Sequence, residues 1–135
     1  METCPTGAAP FDELLEGGYE PGVITTLYGP AGSGKTTTCL LAALSIARQK
    51  KVIFIDTEGG FSPVRFNQLS GNDKTALENL FLLHPTNFSE QKKQLGKLPQ
   101  LMSPAIGLIV CDTVSALYRN ERGEQNNELN RELAK

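Results

Sequence analysis

A chain of 135 residues with a net charge of −2 has room for one hydrophobic core and no more. Its composition, 39% hydrophobic and 21% charged, is ordinary for a soluble globular protein and argues against a broad polyanion-binding surface. No apolar run approaches a membrane span and the start lacks a charged-then-apolar signal segment, so the expected location is the cytoplasm.

The lead, residues 1 to 22, holds one short helix. Phe11-Asp12-Glu13-Leu14-Leu15 is apolar at helical spacing and Gly17-Gly18 ends it. An apolar run, Val23-Ile24-Thr25-Thr26-Leu27-Tyr28, follows and predicts a strand. Directly after it comes Gly29-Pro30-Ala31-Gly32-Ser33-Gly34-Lys35-Thr36, which fits G-x-x-x-x-G-K-[ST] in the strand-to-helix context of a phosphate-binding loop. Glycines let successive N–H groups turn inward toward phosphate oxygens, and the helix N-terminus adds its dipole and unpaired amides. Lys35 is expected to reach the β- and γ-phosphates of a nucleoside triphosphate. Thr36 is expected to ligate Mg²⁺, and Thr37 extends the nucleotide-binding stretch into the helix.

That helix is predicted from Lys35 to about Gln49, with Cys39, Leu40, Ala43, Leu44 and Ala47 as a broad apolar face. The cluster Arg48-Gln49-Lys50-Lys51 reads as a solvated helix end. A second strand, Val52 to Asp56, is nearly all apolar, as suits a parallel strand covered on both faces. Pro63 opens a short helix carrying Arg65, and a further helix over 72–80 is capped by Asn72 or Asp73. Leu80-Phe81-Leu82-Leu83-His84 is the third strand, broken by Pro85 and Asn87. Ser89 is expected to cap an amphipathic helix running to about Leu98, followed by a connector with Pro99 and Pro104. The strand Leu108 to Asp112 comes next, and then helical patterns at Val114–Arg119 and Glu128–Lys135. Alternating strands and helices predict an α/β layered fold with a mostly parallel sheet.

Cys39 and Cys111 read as small buried residues and Cys4 lies in the lead. With no C-x-x-C pair and one histidine, no zinc site is expected. Asp112, ending an apolar strand downstream of the loop, is the expected Mg²⁺-side carboxylate. Hydrolysis also needs a group that orients or deprotonates water. Asp56 and Glu58 both end the second strand, on the ligand side of a parallel sheet. Glu58, followed by two glycines, is the freer of the two.

Asp56-Thr57-Glu58-Gly59-Gly60-Phe61-Ser62-Pro63-Val64-Arg65 resembles the D-T-E-G-x-F-x-P-x-R segment of the RecA/RadA recombinase ATPases. Thr6-Gly7, Phe11-Asp12-x-Leu14-Leu15-x-Gly17-Gly18 and Pro21-Gly22-Val23-Ile24-Thr25 agree with the same family. Ala116-Leu117-Tyr118-Arg119 and Asn130-Arg131-Glu132-Leu133-Ala134 are most similar to its short archaeal RadB branch. The resemblance covers nearly the whole chain. It implies a three-layer P-loop NTPase core of RecA type, spanning residues 1 to 135 without a separate N-terminal helix-hairpin-helix domain. Because the family's core continues past the Asp112 strand, the sheet is expected to be incomplete at its C-terminal side.

The resemblance also implies ATP and Mg²⁺ as ligands and weak, DNA-dependent-type ATP hydrolysis. It further implies a mediator or regulator role in DNA repair and homologous recombination, with DNA and other recombination proteins as partners and homo-oligomerisation as an option. Glu58 matches the family's catalytic glutamate, Lys35 keeps its catalytic and binding role, and Arg65 matches the arginine that stacks on adenine. Two alternatives stand beside this reading: a RecA-fold ATPase of another process, such as a KaiC-like protein, and a nucleotide-dependent interaction module with little turnover. The local basic residues Lys92, Lys93 and Lys97 read as a solvated helix face rather than a DNA contact.

Overall fold

The computed structural model describes residues 3–30 and 32–113. The two helical patterns expected beyond Thr113 therefore lie outside the described residues, as does Ala31 of the loop. In chain order the elements are α1 (Ala9–Leu14), α2 (Lys35–Ala47), β1 (Lys51–Asp56), α3 (Pro63–Ser70), α4 (Lys74–Glu78), β2 (Leu80–Leu83), α5 (Phe88–Leu101) and β3 (Ile106–Asp112). Among the described residues no helix is long and apolar enough to cross a membrane.

The sheet is parallel with strand order β2-β1-β3. β1 lies at the centre because its apolar run Val52-Ile53-Phe54-Ile55 is buried on both faces. Val52, Phe54 and Val110 join Leu40, Ala43, Leu44 and Ala47 of α2 and Phe66 of α3 in the main core. The α2 face predicted from periodicity is thus the buried one, except that Cys39 is only half-buried at its margin. Cys111 is likewise half-buried rather than buried. Gly107 lets β3 run close beneath α2, since a Cβ there would lie 2.6 Å from Ile46 Cγ2.

Local signals explain the shorter elements. α3 is capped by Ser62 with Pro63 at its first turn, and Gly71 ends it at φ 67°. Asp73, not Asn72, caps α4 by accepting from Ala76 N at 3.1 Å. The cap of α5 is Asn87, whose side chain accepts from Glu90 N at 2.8 Å, and not Ser89. The helix also runs three residues past Leu98, with Pro99 inside it. Pro99 has no N–H to donate to the Leu95 carbonyl, so the helix goes without that bond and ends two residues later.

One predicted element is absent. The run from Val23 to Tyr28 forms no strand, and Ile24 and Tyr28 are 95% and 92% exposed. A strand needs a ladder partner, and this run pairs with none of β2, β1 and β3. Leu27 and Tyr28, at its end, border a concavity beside the loop.

Candidate nucleotide site

The C-terminal ends of β1 and β3 lie side by side, with Asp56 opposite Asp112 in the ladder. Thr57 N donates to Asp112 O at 2.9 Å and extends the pairing one residue past β1. Beyond it, Thr113 N donates to Thr57 Oγ1, and Thr57 Oγ1 to Thr113 O, both at 2.8 Å. The ends of a parallel sheet are where such folds place ligands. Here they carry the predicted acidic residues.

The loop 29–36 enters α2 through Gly34, which stands at the N-cap with φ 90° and ψ 17°. No side chain caps this helix end, so the amides of its first turn are available to an anion. Ser33 N closes the turn onto Pro30 O at 3.2 Å, and Thr38 Oγ1 donates to Gly34 O at 2.8 Å. Lys35 Nζ donates to the carbonyl oxygens of Gly29 and Pro30, so a triphosphate must compete with the loop's own oxygens for this ammonium. A concavity of about 200 Å³ beside the loop is lined by Phe11, Leu27, Tyr28, Ser33, Gly34, Lys35 and Thr38. Sequence reasoning did not select Phe11, Tyr28 or Thr38 as site residues; Phe11 comes from α1, and only the fold brings it there.

Thr36 Oγ1 donates to Asp112 Oδ2 at 2.9 Å. Two oxygen donors in contact at the foot of an anion-binding loop fit the all-oxygen preference of Mg²⁺. Asp112 is 8% exposed, and Thr113 Oγ1 donates to its second oxygen at 3.2 Å. Burial pushes the Cys39 thiol up to about 11, with the Asp112 and Cys111 charges adding in the same direction. Burial also raises the Cys111 thiol, again helped by Asp112. A thiol raised in this way forms less of the nucleophilic thiolate.

The turn after β1 separates the two carboxylates by role. Asp56 is 3% exposed and its Oδ1 accepts from Glu58 N at 3.3 Å, Gly59 N at 2.9 Å and Gly60 N at 3.2 Å, while Oδ2 accepts from Phe61 N at 3.1 Å. An Asp holding four amides is occupied with the backbone. Glu58 is exposed, and its carboxylate makes no hydrogen bond or ion pair among the described residues. Gly60 brings this turn against the loop helix, since a Cβ there would lie 3.8 Å from Thr36 Oγ1. The structure therefore groups Lys35, Thr36, Asp112 and the Glu58 turn. The exposed guanidinium of Arg65 is joined to the loop by no hydrogen bond or ion pair among the described residues, while its backbone N–H donates to the Ser62 Oγ cap at 3.2 Å. Lys92, Lys93 and Lys97 are exposed on α5, as a solvated face requires, with Lys92 Nζ 4.8 Å from the Phe88 ring centre.

A family model described as Rad51 matches residues 2–135. The DNA repair and recombination protein RadB of Thermococcus kodakarensis is 41% identical over 134 residues, which cover 95% of this chain and 60% of that protein. The protein of the same name from Methanococcus maripaludis strain C7 is 43% identical over 130 residues, 93% of this chain and 60% of its own. A solved structure described as the RadB recombinase superposes with a TM-score of 0.77 at 41% identity, over 88% of this chain and 55% of that one. The chain thus spans a little over half the length of the relatives it matches. The chain belongs to the Rad51 family, and its parallel sheet and loop-bearing helix are the RecA-type fold of that family.

Proposed function

We propose that this chain is the nucleotide-binding part of a cytoplasmic RecA-type ATPase that acts in DNA repair and homologous recombination as a mediator or regulator. The observation that carries the reading is the 2.9 Å contact between Thr36 and Asp112, at the point where the loop helix meets the ends of β1 and β3. Gly29, Pro30, Ala31, Gly32, Ser33 and Gly34 wrap the phosphates, and the amides of Lys35, Thr36 and Thr37 complete the cradle. The Lys35 ammonium leaves its two carbonyls for the β- and γ-phosphates. Thr36 and Asp112 hold Mg²⁺, which when bound neutralises phosphate charge.

Glu58 orients and deprotonates the attacking water, because its neighbour Asp56 is committed to the backbone of the turn. Arg65 stacks on the adenine ring. DNA and other recombination proteins are the partners of the whole protein. Steady-state turnover of Glu58→Gln tests the mechanism. Loss of a general base of this kind lowers kcat by about 10²–10⁴ while leaving ATP affinity close to the parent. Turnover equal to the parent would sink the assignment of Glu58.

A further inference from the structure

The one histidine of the chain stands beside the Glu58 turn and belongs to none of the roles assigned so far. His84 follows β2 directly, at the same end of the sheet as Asp56 and Asp112. Its Nδ1 lies 2.7 Å from the backbone oxygen of Asp56. A carbonyl oxygen only accepts, so Nδ1 must carry the proton and donate. The ring also flanks the next part of the turn, because a Cβ on Gly59 would lie 3.9 Å from His84 Cε1. Asp56 is therefore held twice. Its carbonyl is fixed from the β2 side by His84, and its carboxylate fixes the amides of residues 58 to 61.

We propose that His84 is a positioning residue for Glu58, acting through the Asp56 carbonyl to lock the turn that carries the base. The proposal rests on the reading of Glu58 given above. Its physical basis is that Glu58 itself has no side-chain partner among the described residues, so its placement depends on the backbone beneath it. A base displaced by a fraction of an ångström loses alignment with its water. Glycines at 59 and 60 leave this backbone compliant, with Gly59 at φ 76°, so an external brace has something to restrain.

Hydrogen exchange on this chain reads the brace directly and needs no turnover. In His84→Ala the amides of residues 58 to 61 should exchange about fivefold faster, the equivalent of one net hydrogen bond. Those of Val52 to Ile55 in β1 should be unchanged. His84→Asn places an amide N–H near the position of Nδ1 and should restore slow exchange; His84→Gln, which imitates Nε2, should not. Unchanged exchange in His84→Ala, or equal acceleration through β1, overturns the brace.

Steady-state kinetics read the catalytic consequence. His84→Ala should lower kcat several-fold with KM for ATP unchanged, and His84→Asn should recover most of it. If Glu58→Gln abolishes turnover and His84→Ala does not reduce it, His84 is overturned while Glu58 stands. If Glu58→Gln turns over like the parent, the Glu58 reading fails, and the positioning role fails with it whatever the exchange data give.

Discussion

Thr36 and Asp112 are 76 residues apart in the chain, yet the threonine hydroxyl donates to the aspartate carboxylate at 2.9 Å. The contact joins the first turn of α2 to the end of β3, and it places both proposed Mg²⁺ donors before any ion arrives. Replacing Asp112 by Asn keeps the shape and an acceptor oxygen but removes the charge. The expected result is an approximately tenfold or greater loss of ATP affinity in the presence of Mg²⁺. Affinity measured in a chelator should change little. Calorimetric titration with and without Mg²⁺ separates the two, and an equal loss in both conditions would place Asp112 outside the metal site.

Gly34 gives a second handle on the loop. It adopts φ 90° at the N-cap of α2, and no atom lies within 4 Å of where its Cβ would stand. An alanine there is therefore penalised by backbone strain rather than by collision. Stability should fall by about 1–2 kcal/mol, the cost of a left-handed residue with a Cβ. Relaxation of that strain re-aims the first-turn amides, so nucleotide binding should weaken as well. Urea unfolding and ATP titration of Gly34→Ala check the two effects on one variant.

These two residues show which parts of the site could be read before the structure. The loop motif specifies its own backbone, because Gly34 and Lys35-Thr36 occur at a fixed spacing from Gly29. Asp112 was legible because an apolar strand ending in an acid must deliver that acid to the loop side of a parallel sheet. Asp56 was read only as a second carboxylate of the same kind. Its bonds to four amides are an Asx-type turn, and the signal was present in an Asp followed by Gly59 and Gly60.

Other features depend on tertiary context that no local pattern carries. The Val23–Tyr28 run has strand composition, but composition cannot supply a partner. The contacts of His84 with the Asp56 carbonyl and of Phe11 with the loop concavity join elements distant in sequence. Ser89 was a plausible cap, but Asn87 is placed to accept from Glu90 N and takes the role.

Cys39 makes a prediction in pH. Its thiol is raised from 9.0 to about 11, first by burial and then by the charges of Asp112 and Cys111. At a given pH below 9 the folded protein therefore holds about a hundredfold fewer Cys39 thiolates than an ordinary thiol would. Iodoacetamide labelling of a Cys4→Ser, Cys111→Ser background should be slow at pH 8 and become fast when urea unfolds the chain. The sign of the linked stability follows from a raised folded value. The contribution is complete below the unfolded thiol's pKa and is lost as pH rises through the folded one, a window of about 9 to 11. Labelling as fast in the folded protein as in urea would contradict the burial.

The absent strand can be tested by comparing two apolar residues with opposite surroundings. Phe54 is fully buried in β1, with its ring 5.1 Å from that of Phe61 in an edge-on arrangement. Truncation to alanine removes that packing and leaves a cavity, so Phe54→Ala should cost about 3–5 kcal/mol. Ile24 is as apolar as a core residue but is 95% exposed. Ile24→Thr preserves β-branching and replaces only a solvent-exposed ethyl arm by a hydroxyl, so its effect should stay within about 0.5 kcal/mol. Urea melts of this 135-residue chain, compared at equal m-values, measure both. If Ile24→Thr approached the cost of a core substitution, the run would be packed after all, and the loop would be fed by a strand in the chain as it stands.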